Sequence, residues 1–298
     1  DAQEYDFQRW YDTIQAQEGL EAGYDSECMI FQCGANTTVR WIGNENGYAA
    51  KNTWSKSNVN VEADTCDDNM QGSYSLGYEN GNKWTVPEAD ARITSGWFWG
   101  PNKSTPKTIT DLGNMYFNSV GHNAPLLLNV PPNTDGTVDQ EILDRLAEFG
   151  ANISETFADN LAAEAVVGAT SARGNDTAFS PANVLDGSDD TYWTTDDGTS
   201  SGTLIVDLGE TKTFDVVSIE EAIQLGQSIN EYKVEYRNGD NDEWTVLDEG
   251  ETIGAKRLIR TASVRADQLR ITVDTNKADA VPMISEIGVY KASDDFEL

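Results

Sequence analysis

The stretch APLLLNV, residues 124–130, decides the fold of the first half of this chain. Apart from Asn129 it is apolar on both faces, which is typical of a strand enclosed by helices. Helix periodicity precedes it over residues 110–120 and follows it over Asp139–Ala158. A further strand-like run lies upstream at Ala91–Phe98. This alternation of strand and helix predicts a parallel sheet or barrel.

Further upstream the pattern is less regular. Residues 5–14 have helix spacing, and residues 28–33 are expected to form a short strand. A polar loop is expected around residues 40–45, and the Asn-, Ser- and Gly-rich residues 46–90 predict a long surface excursion. A complete (β/α)8 barrel needs about 250 residues. Residues 1–160 therefore predict the carboxyl-terminal half of a (β/α)8-type barrel, with a smaller α/β domain as the alternative.

From about residue 161 onward the pattern changes to short alternating strands, separated by turn signals such as Asn238-Gly239. Strands of this length and spacing are typical of a β-sandwich, which is predicted for residues 161–298. The expected fold class is therefore α/β plus all-β. The strands expected in this part are residues 203–208, 216–221, 233–237, 244–249, 268–273 and 284–290.

The charge of the chain excludes some partners. Its 298 residues include 51 acidic and 20 basic side chains, so the formal charge is −31. A surface this negative repels phosphate groups, which argues against nucleic acid and anionic membranes as partners. The longest apolar stretch, residues 124–130, is much shorter than the roughly 20 residues that a membrane span needs.

Cysteine and histidine are scarce. Cys28, Cys33 and Cys66 are too few for a disulfide framework, and we expect buried thiols or a single bridge. The one histidine, His122, argues against a histidine-rich metal site or a Ser-His-Asp triad within this chain. We expect it to have a structural role.

Two polar and aromatic loops after predicted strands carry residues suited to sugar chemistry. The first contains Trp41, Asn44 and Glu45, and the second contains Trp97. Indole rings stack on the apolar faces of sugars, and an apolar wall raises the pKa of a carboxylic acid so that it can donate a proton. These features alone leave the alternative open that Glu45 is one of 51 surface acids and that the tryptophans only pack.

Five blocks of the sequence form a recognisable series: YDFQRWYDTI (5–14), VRWIGNENG (39–47), PEAD (87–90), SGWFW (95–99) and NSVGHN followed by LLLNVPP (118–132). In order and in approximate spacing these blocks resemble glycoside hydrolase family 29, the α-L-fucosidases. The signature RWIGNE in the second block resembles the subfamily that acts on α-1,3/1,4-linked fucose. Two tail blocks, FSPANVLDG (179–187) and ISEIGVY (284–290), resemble the discoidin-like β-sandwich behind such barrels.

The resemblance implies retaining hydrolysis of α-1,3/1,4-linked L-fucose from glycans such as Lewis-type structures or milk oligosaccharides, outside the cell. Two carboxyl groups about 5–5.5 Å apart carry out such a reaction, one as nucleophile and one as acid/base, and no cofactor is required. Glu45 matches the acid/base position of the family. Trp41, Asn44 and Trp97 are implied to bind the substrate.

The nucleophile is not assigned by the resemblance. In the family it is the Asp of a Trp-x-Asp-Gly-Ala type motif that precedes the Tyr-Asp-Phe helix, and no such motif is present in these residues. We therefore expect the chain to be the carboxyl-terminal portion of a larger enzyme, associated with an amino-terminal fragment that supplies the nucleophile. The exposed edges and apolar faces of a half barrel favour that association.

The same resemblance implies a structural calcium site in the tail. Clustered carboxylate and carbonyl oxygens suit a hard cation. The alternative is an acidic turn that binds no metal. The residues that match the calcium positions of discoidin-like modules are Asp186, Asp189, Thr191 and Glu286.

Two other functions are left open by the sequence. The chain could be a non-catalytic glycan-binding or adhesion module with a vestigial barrel piece, or a glycosidase that acts on another sugar. Release of fucose that is lost in Glu45→Ala separates catalysis from binding. A comparison of fucoside, galactoside and xyloside substrates identifies the sugar.

Overall fold

The computed structural model describes residues 6–17, 29–31, 34–102, 104–296 and 298. The helices are α1 (Phe7–Gln17), α2 (Ile109–Ser119) and α3 (Gln140–Thr156). The strands of the first part are β1 (Val39–Trp41), β2 (Lys56–Asn60), β3 (Thr65–Asp67), β4 (Met70–Gln71), β5 (Tyr74–Ser75), β6 (Lys83–Trp84), β7 (Val86–Arg92) and β8 (Leu126–Asn129). Those of the second part are β9 (Val166–Ala169), β10 (Trp193–Thr194), β11 (Ser201–Glu221), β12 (Glu231–Arg237), β13 (Thr245–Gly250), β14 (Arg257–Asp274) and β15 (Met283–Tyr290).

A parallel sheet of three strands, in the order β1-β7-β8, forms the centre of the first part. Successive side chains of a strand point to opposite faces. On β7, Ala89 and Ala91 are fully buried on one face, whereas Glu88, Asp90 and Arg92 lie on the other, partly exposed face. The predicted parallel sheet is therefore confirmed. Of the predicted half barrel, the described residues contain these three parallel strands.

Helices α2 and α3 pack together beside this sheet. The Thr108 Oγ1 atom accepts a hydrogen bond from the Asp111 backbone N–H at 3.0 Å, which caps the start of α2. Leu112 of α2 and Ile142 of α3 are fully buried in one hydrophobic core. Both helices begin and end within two residues of the predicted positions. Every helix in the part of the chain that the structure describes is too short or too polar to span a bilayer.

The strand predicted at Ala91–Phe98 is wrong. Strand β7 ends at Arg92, and residues 95–99 form a loop. The predicted range includes Trp and Phe, which have high strand propensity. Strand β7 instead contains Pro87 and alternating charged residues, which are rare inside strands. These charges are compatible with a strand here because they lie on the face that is turned away from the core.

The polar loop predicted around residues 40–45 is wrong at its start, because Arg40 lies in β1 and is buried. Its guanidinium group donates hydrogen bonds to the carbonyl oxygens of Trp54 and Thr85, each at 2.7 Å. Burial lowers the pKa of Arg40 to about 10. The acceptors belong to residues 46–90, which form the short strands β2–β6 rather than a surface excursion.

Half of the strand predicted at residues 28–33, namely residues 28, 32 and 33, lies outside the described residues, and with it the first two cysteines. Phe31 forms an isolated parallel bridge with Val39 of β1. Cys66 is disulfide-bonded, in agreement with the expected single bridge.

Two long antiparallel strands organise the second part. Strands β11 and β14 pair along most of their length, with a change of register between Asp207 and Lys212. The first half of β11 also pairs with β9 and its second half with β15, so one sheet of seven strands encloses a common core. This arrangement fits the expected β-sandwich. The strands predicted separately at residues 203–208 and 216–221 are both part of β11, which is a correction.

The two parts meet around Asn123. Its Nδ2 donates a hydrogen bond to the Thr53 carbonyl oxygen at 3.0 Å, and its Oδ1 accepts one from the Ala255 backbone N–H at 2.8 Å. Gly254 has a φ of +71°, and a Cβ atom there would lie 2.2 Å from Asn123 Cγ. Only glycine fits this approach of the two parts.

Candidate active site

The three parallel strands end at the same edge of the sheet, and the loops that follow them form the candidate site. Strand β1 ends at Trp41, β7 at Arg92 and β8 at Asn129. Functional residues of α/β enzymes concentrate at the carboxyl ends of parallel strands, because the connecting loops meet there. This arrangement brings together loops that are far apart in the sequence.

Glu45 lies on the first of these loops and contacts the indole of Trp97. Its Oε2 atom accepts a hydrogen bond from Trp97 Nε1 at 2.8 Å, and Arg92 Nη1 lies 3.8 Å from the same oxygen. The Glu45 side chain is 56% exposed, so its carboxyl group is open to a ligand. A group that transfers protons needs both this access and this fixed orientation.

Trp97 is held from two sides. The Arg92 guanidinium group lies over the indole ring, 5.6 Å from its centroid, which is a cation–π contact. Asn129 Nδ2 donates a hydrogen bond to the Trp97 carbonyl oxygen at 3.0 Å. Residues at the ends of β7 and β8 thus hold the Trp97 indole, and the indole in turn orients the Glu45 carboxyl group. The sequence analysis did not identify Arg92 or Asn129 as site residues. The available signal was that each is a polar residue within a predicted strand, Arg92 in residues 91–98 and Asn129 in residues 124–130.

Asn44 shapes the loop that carries Glu45. Its Nδ2 donates hydrogen bonds to the carbonyl oxygens of Tyr48 at 2.9 Å and Ser73 at 3.1 Å, and its Oδ1 accepts one from the Asn46 backbone N–H at 3.0 Å. The side-chain amide is therefore engaged within the protein. The contact between Asn44 and substrate stays a prediction, and the structure adds a role in positioning the loop.

Trp41 is exposed at the end of β1, and its Nε1 donates a hydrogen bond to Asp90 Oδ1 at 2.5 Å. Asp90 and Glu88 lie on the same face of β7. Burial, and then the charge of Asp90, raises the pKa of Glu88. The partly exposed face of β7 therefore carries two further carboxyl groups next to the site. The sequence analysis quoted both in the PEAD block but assigned neither a role.

His122 lies at the junction of the two parts. Its Nδ1 is 3.1 Å from the Ala49 carbonyl oxygen, and it forms a backbone bridge with Arg257. Burial, and then the charge of Arg257, lowers the pKa of His122 to about 4. The imidazole is therefore neutral at physiological pH, and Nδ1–H donates to Ala49. This geometry agrees with the structural role expected of it.

The residues expected to bind calcium lie around one turn of the second part. Thr191 Oγ1 donates a hydrogen bond to Asp186 Oδ2 at 2.7 Å, and the Gly187 backbone N–H donates one to Glu286 Oε2 at 3.2 Å. Burial raises the pKa of Glu286 to about 7, and neighbouring carboxylates, including Asp189, add to this. Among the described residues no three His, Cys, Asp or Glu side chains are arranged as metal ligands. The oxygen donors match a hard cation in type, and calcium stays a prediction.

Comparisons with known proteins cover both parts. The alpha-L-fucosidase family model matches residues 8–156, and the F5/8 type C domain model matches residues 166–287. Alpha-L-fucosidase 1 of Arabidopsis thaliana is 35% identical over 293 residues, which are 96% of this chain and 54% of that protein. A Ruminococcus gnavus GH29 fucosidase solved in complex with fucose is 60% identical, with a TM-score of 0.96 over 100% of this chain and 59% of that one. The chain thus spans little more than half the length of these relatives.

The first matched range contains the parallel sheet, helices α2 and α3, and the cluster of Glu45, Arg92 and Trp97. The second contains most of the seven-stranded sheet. The chain therefore belongs to the alpha-L-fucosidase family, and an F5/8 type C domain of the discoidin-like kind follows its family region.

Proposed function

We propose that the protein is an α-L-fucosidase that releases α-1,3/1,4-linked L-fucose from glycans with retention of configuration, and that Glu45 is its acid/base. The observation that carries the proposal is the Glu45 carboxyl group, which accepts a 2.8 Å hydrogen bond from Trp97 at the carboxyl ends of the parallel strands. An oriented, accessible carboxyl group beside an indole is suited to protonating a glycosidic oxygen. The Ruminococcus gnavus relative, solved with fucose, supports fucose as the sugar.

The reaction has two steps. A carboxylate nucleophile bonds to the anomeric carbon while Glu45 gives its proton to the departing glycosidic oxygen. The Glu45 carboxylate then takes a proton from water, which attacks the same carbon and releases fucose and the nucleophile. The Nε1–H group of Trp97 donates a hydrogen bond to the Glu45 carboxylate, and Arg92 lies opposite the same oxygen. The sugar is bound by Trp41, Asn44 and Trp97.

The nucleophile of this proposal lies outside the 298 residues, on an amino-terminal portion of the same enzyme. The chain spans 54% of its Arabidopsis thaliana relative, which leaves room for such a portion. Among the described residues, β8 pairs only with β7, and Leu127 on its open face is 56% exposed. Further parallel strands beside β8 would cover that edge and that face.

The proposed substrates are fucosylated oligosaccharides of the Lewis or milk type, which an enzyme meets outside the cell. A chain of charge −31 does not repel neutral glycans, so the acidic surface is compatible with them. Carboxyl groups carry both chemical roles, and catalysis therefore requires no cofactor. Calcium in the second part would have a structural role.

The test is release of L-fucose from α-1,3- and α-1,4-fucosylated trisaccharides, with an α-1,2-linked substrate for comparison. It uses the purified protein together with any polypeptide that accompanies it. Glu45→Ala is expected to lower kcat/KM on the glycans by about 10²–10⁴-fold. The loss of kcat/KM should be much smaller with α-L-fucosyl fluoride, because kcat/KM reports the first step, in which fluoride departs without a proton. Glu62→Ala, which removes an exposed acid elsewhere, is the matched control.

Equal losses of kcat/KM on the glycans and on the fluoride would contradict the acid/base role of Glu45. Absence of fucose release from every substrate would contradict the proposed activity. Binding of fucosylated glycans without turnover would favour a non-catalytic glycan-binding module instead.

A further inference from the structure

An aromatic cavity adjoins the Glu45–Trp97 pair and has no role in the two steps of the proposed reaction. Its volume is about 440 Å³. Small-molecule sites in proteins have volumes of about 300–1,000 Å³, so the cavity is large enough for a sugar ring. The residues that matter for its shape are Trp97, Phe98, Trp99, Pro131, Pro132 and Asn133.

Phe98 is the most unusual residue of the cavity, because 83% of its surface is exposed. No other large hydrophobic side chain in the described residues is as exposed. Exposed aromatic surface that lies in a concavity marks a binding site more often than an isolated exposed residue does. Its neighbours in the sequence, Trp97 and Trp99, are each anchored by a side-chain hydrogen bond.

The walls around Phe98 are held in place. Trp99 Nε1 donates a hydrogen bond to Asp139 Oδ2 at 2.7 Å, and Asn133 Nδ2 donates one to Asp139 Oδ1 at 2.8 Å. Ser104 Oγ donates to the Gly100 carbonyl oxygen at 2.8 Å and so closes the loop behind the aromatic residues. These hydrogen bonds hold the loop close to Phe98, so they restrict the backbone that carries its ring.

The position of the cavity relative to Glu45 indicates which part of a substrate it would bind. A general acid protonates the oxygen that joins the two sugars, so it lies between the ring that is attacked and the ring that departs. Phe98 follows directly after Trp97, whose indole holds Glu45 at 2.8 Å. The cavity shares Trp97 with the Glu45–Trp97 pair, so it adjoins the group that would protonate the departing oxygen.

The chemistry of the lining limits the kind of sugar. Aromatic and proline rings offer apolar surface, which suits the C–H face of a pyranose. The carboxylate behind the wall, Asp139, already accepts hydrogen bonds from Trp99 and Asn133. Among the described residues that line the cavity there is no Lys or Arg, and such side chains are the usual partners of a carboxylate or sulfate group.

We propose that this cavity is the leaving-group subsite, and that it binds the uncharged pyranose to which fucose is attached, with the C–H face of that ring stacked on Phe98. This inference rests on the proposed function, since a leaving-group subsite presupposes glycosidic cleavage next to Glu45. Phe98 acts in it as a specificity residue that contacts substrate and takes no part in proton transfer.

The experiment compares Phe98→Ala with wild type on two substrates of the active protein. With a fucosylated disaccharide, kcat/KM is expected to fall about tenfold or more, because the stacked ring is lost. With α-L-fucosyl fluoride, which has no second sugar, kcat/KM should stay within about twofold of wild type. Phe98→Tyr keeps a ring and should restore the disaccharide activity. Leu225→Ala, an exposed apolar residue of the second part, is the matched control.

A binding measurement gives a second readout. In a Glu45→Gln background, which leaves the glycosidic bond intact, Phe98→Ala should weaken binding of the disaccharide about tenfold by calorimetry. Binding of free L-fucose should not change. Equal losses on the disaccharide and the fluoride would overturn the inference, because the ring would then support the fucose site or the fold. Unchanged values on both would overturn it as well. Failure of wild type on the fluoride contradicts the proposed function, and this result is visible without any Phe98 variant.

Discussion

At the scale of single residues, one hydrogen bond decides how Glu45 is presented. Trp97→Phe removes the Nε1–H donor but keeps an aromatic ring next to Arg92. A hydrogen bond to a charged group contributes about 1.5–3 kcal/mol when buried and less at a half-exposed site. We therefore expect kcat on fucosylated trisaccharides to fall about tenfold, with a smaller change in KM.

Steady-state kinetics test this expectation, and Trp84→Phe, which changes a half-exposed tryptophan of β6, serves as the control. A Trp97→Phe variant with wild-type kcat would show that the indole N–H does not matter for proton transfer. A large increase of KM alone would indicate that Trp97 acts through sugar binding only.

His122 allows a prediction about pH. Its pKa is about 4 in the folded protein, below the 6.5 of a free imidazole, so the unfolded state binds a proton at higher pH than the folded state does. The neutral form therefore contributes stability that is fully present above pH 6.5 and is lost as the pH falls towards 4. The loss is on the order of 2–3 kcal/mol.

His122 is the one histidine of these 298 residues, so the imidazole NMR signals that disappear in His122→Asn belong to it, and their titration measures this pKa directly. In His122→Asn, whose Nδ2–H can replace the donor to Ala49, the free energy of unfolding should depend less on pH between 6.5 and 5. A midpoint near 6.5 in the folded protein would contradict the buried, neutral imidazole.

At the scale of elements, the sequence predicted those whose periodicity is uninterrupted. Helices α2 and α3 have apolar stripes, and β8 is apolar on both faces. Strand β7 was misplaced because its exposed face carries Glu88, Asp90 and Arg92, and charged residues in a strand predict a loop. Polar residues on an exposed binding face interrupt the apolar pattern from which strands are predicted, so the strand was not recognised there.

The candidate site shows the same limit. The acid at position 45 and the indole at position 97 were both named as candidates from sequence and family resemblance. Their mutual hydrogen bond joins residues separated by 52 positions and depends on the register of β1 and β7. Arg40 illustrates the reverse case, because its charge predicted exposure, whereas carbonyl oxygens of Trp54 and Thr85 accept its protons inside the fold.

The turn before β10 carries the next prediction. Calcium bound by the side chains of Asp186, Asp189, Thr191 and Glu286 would join this turn to β15. At 100 times its Kd, calcium would add about 2.7 kcal/mol to the free energy of unfolding. We therefore expect millimolar calcium to raise the Tm of chelator-treated protein by roughly 5 °C.

Scanning calorimetry with and without chelator measures this shift. Glu286→Gln should abolish it, whereas Asp190→Asn, which changes an exposed acid of the same turn outside the proposed ligand set, should retain it. The same calcium response in Glu286→Gln and in wild type would contradict this site.

At the scale of the whole molecule, the end of the chain returns to the core of the first part. Phe296 is fully buried against Leu112 of α2 and packs edge-on with Phe117, with ring centroids 6.0 Å apart. A Cβ atom at Gly113 would lie 2.7 Å from the Phe296 ring, so the fit leaves no spare room. From this contact and from Asn123 at the junction, we expect the stability of one part to depend on the other.

Phe296→Ala tests that dependence. Removal of a fully buried phenylalanine leaves a cavity and lowers the free energy of unfolding by about 3–5 kcal/mol. The loss should fall on the first part, although residue 296 belongs to the second part in sequence, and fucosidase activity should be lost at a lower temperature. Leu298→Ala, two positions away and 73% exposed, should leave both values unchanged. Calorimetry that shows destabilisation of the seven-stranded sheet alone would contradict the shared core, because Phe296 would then support only the part in which it lies in sequence.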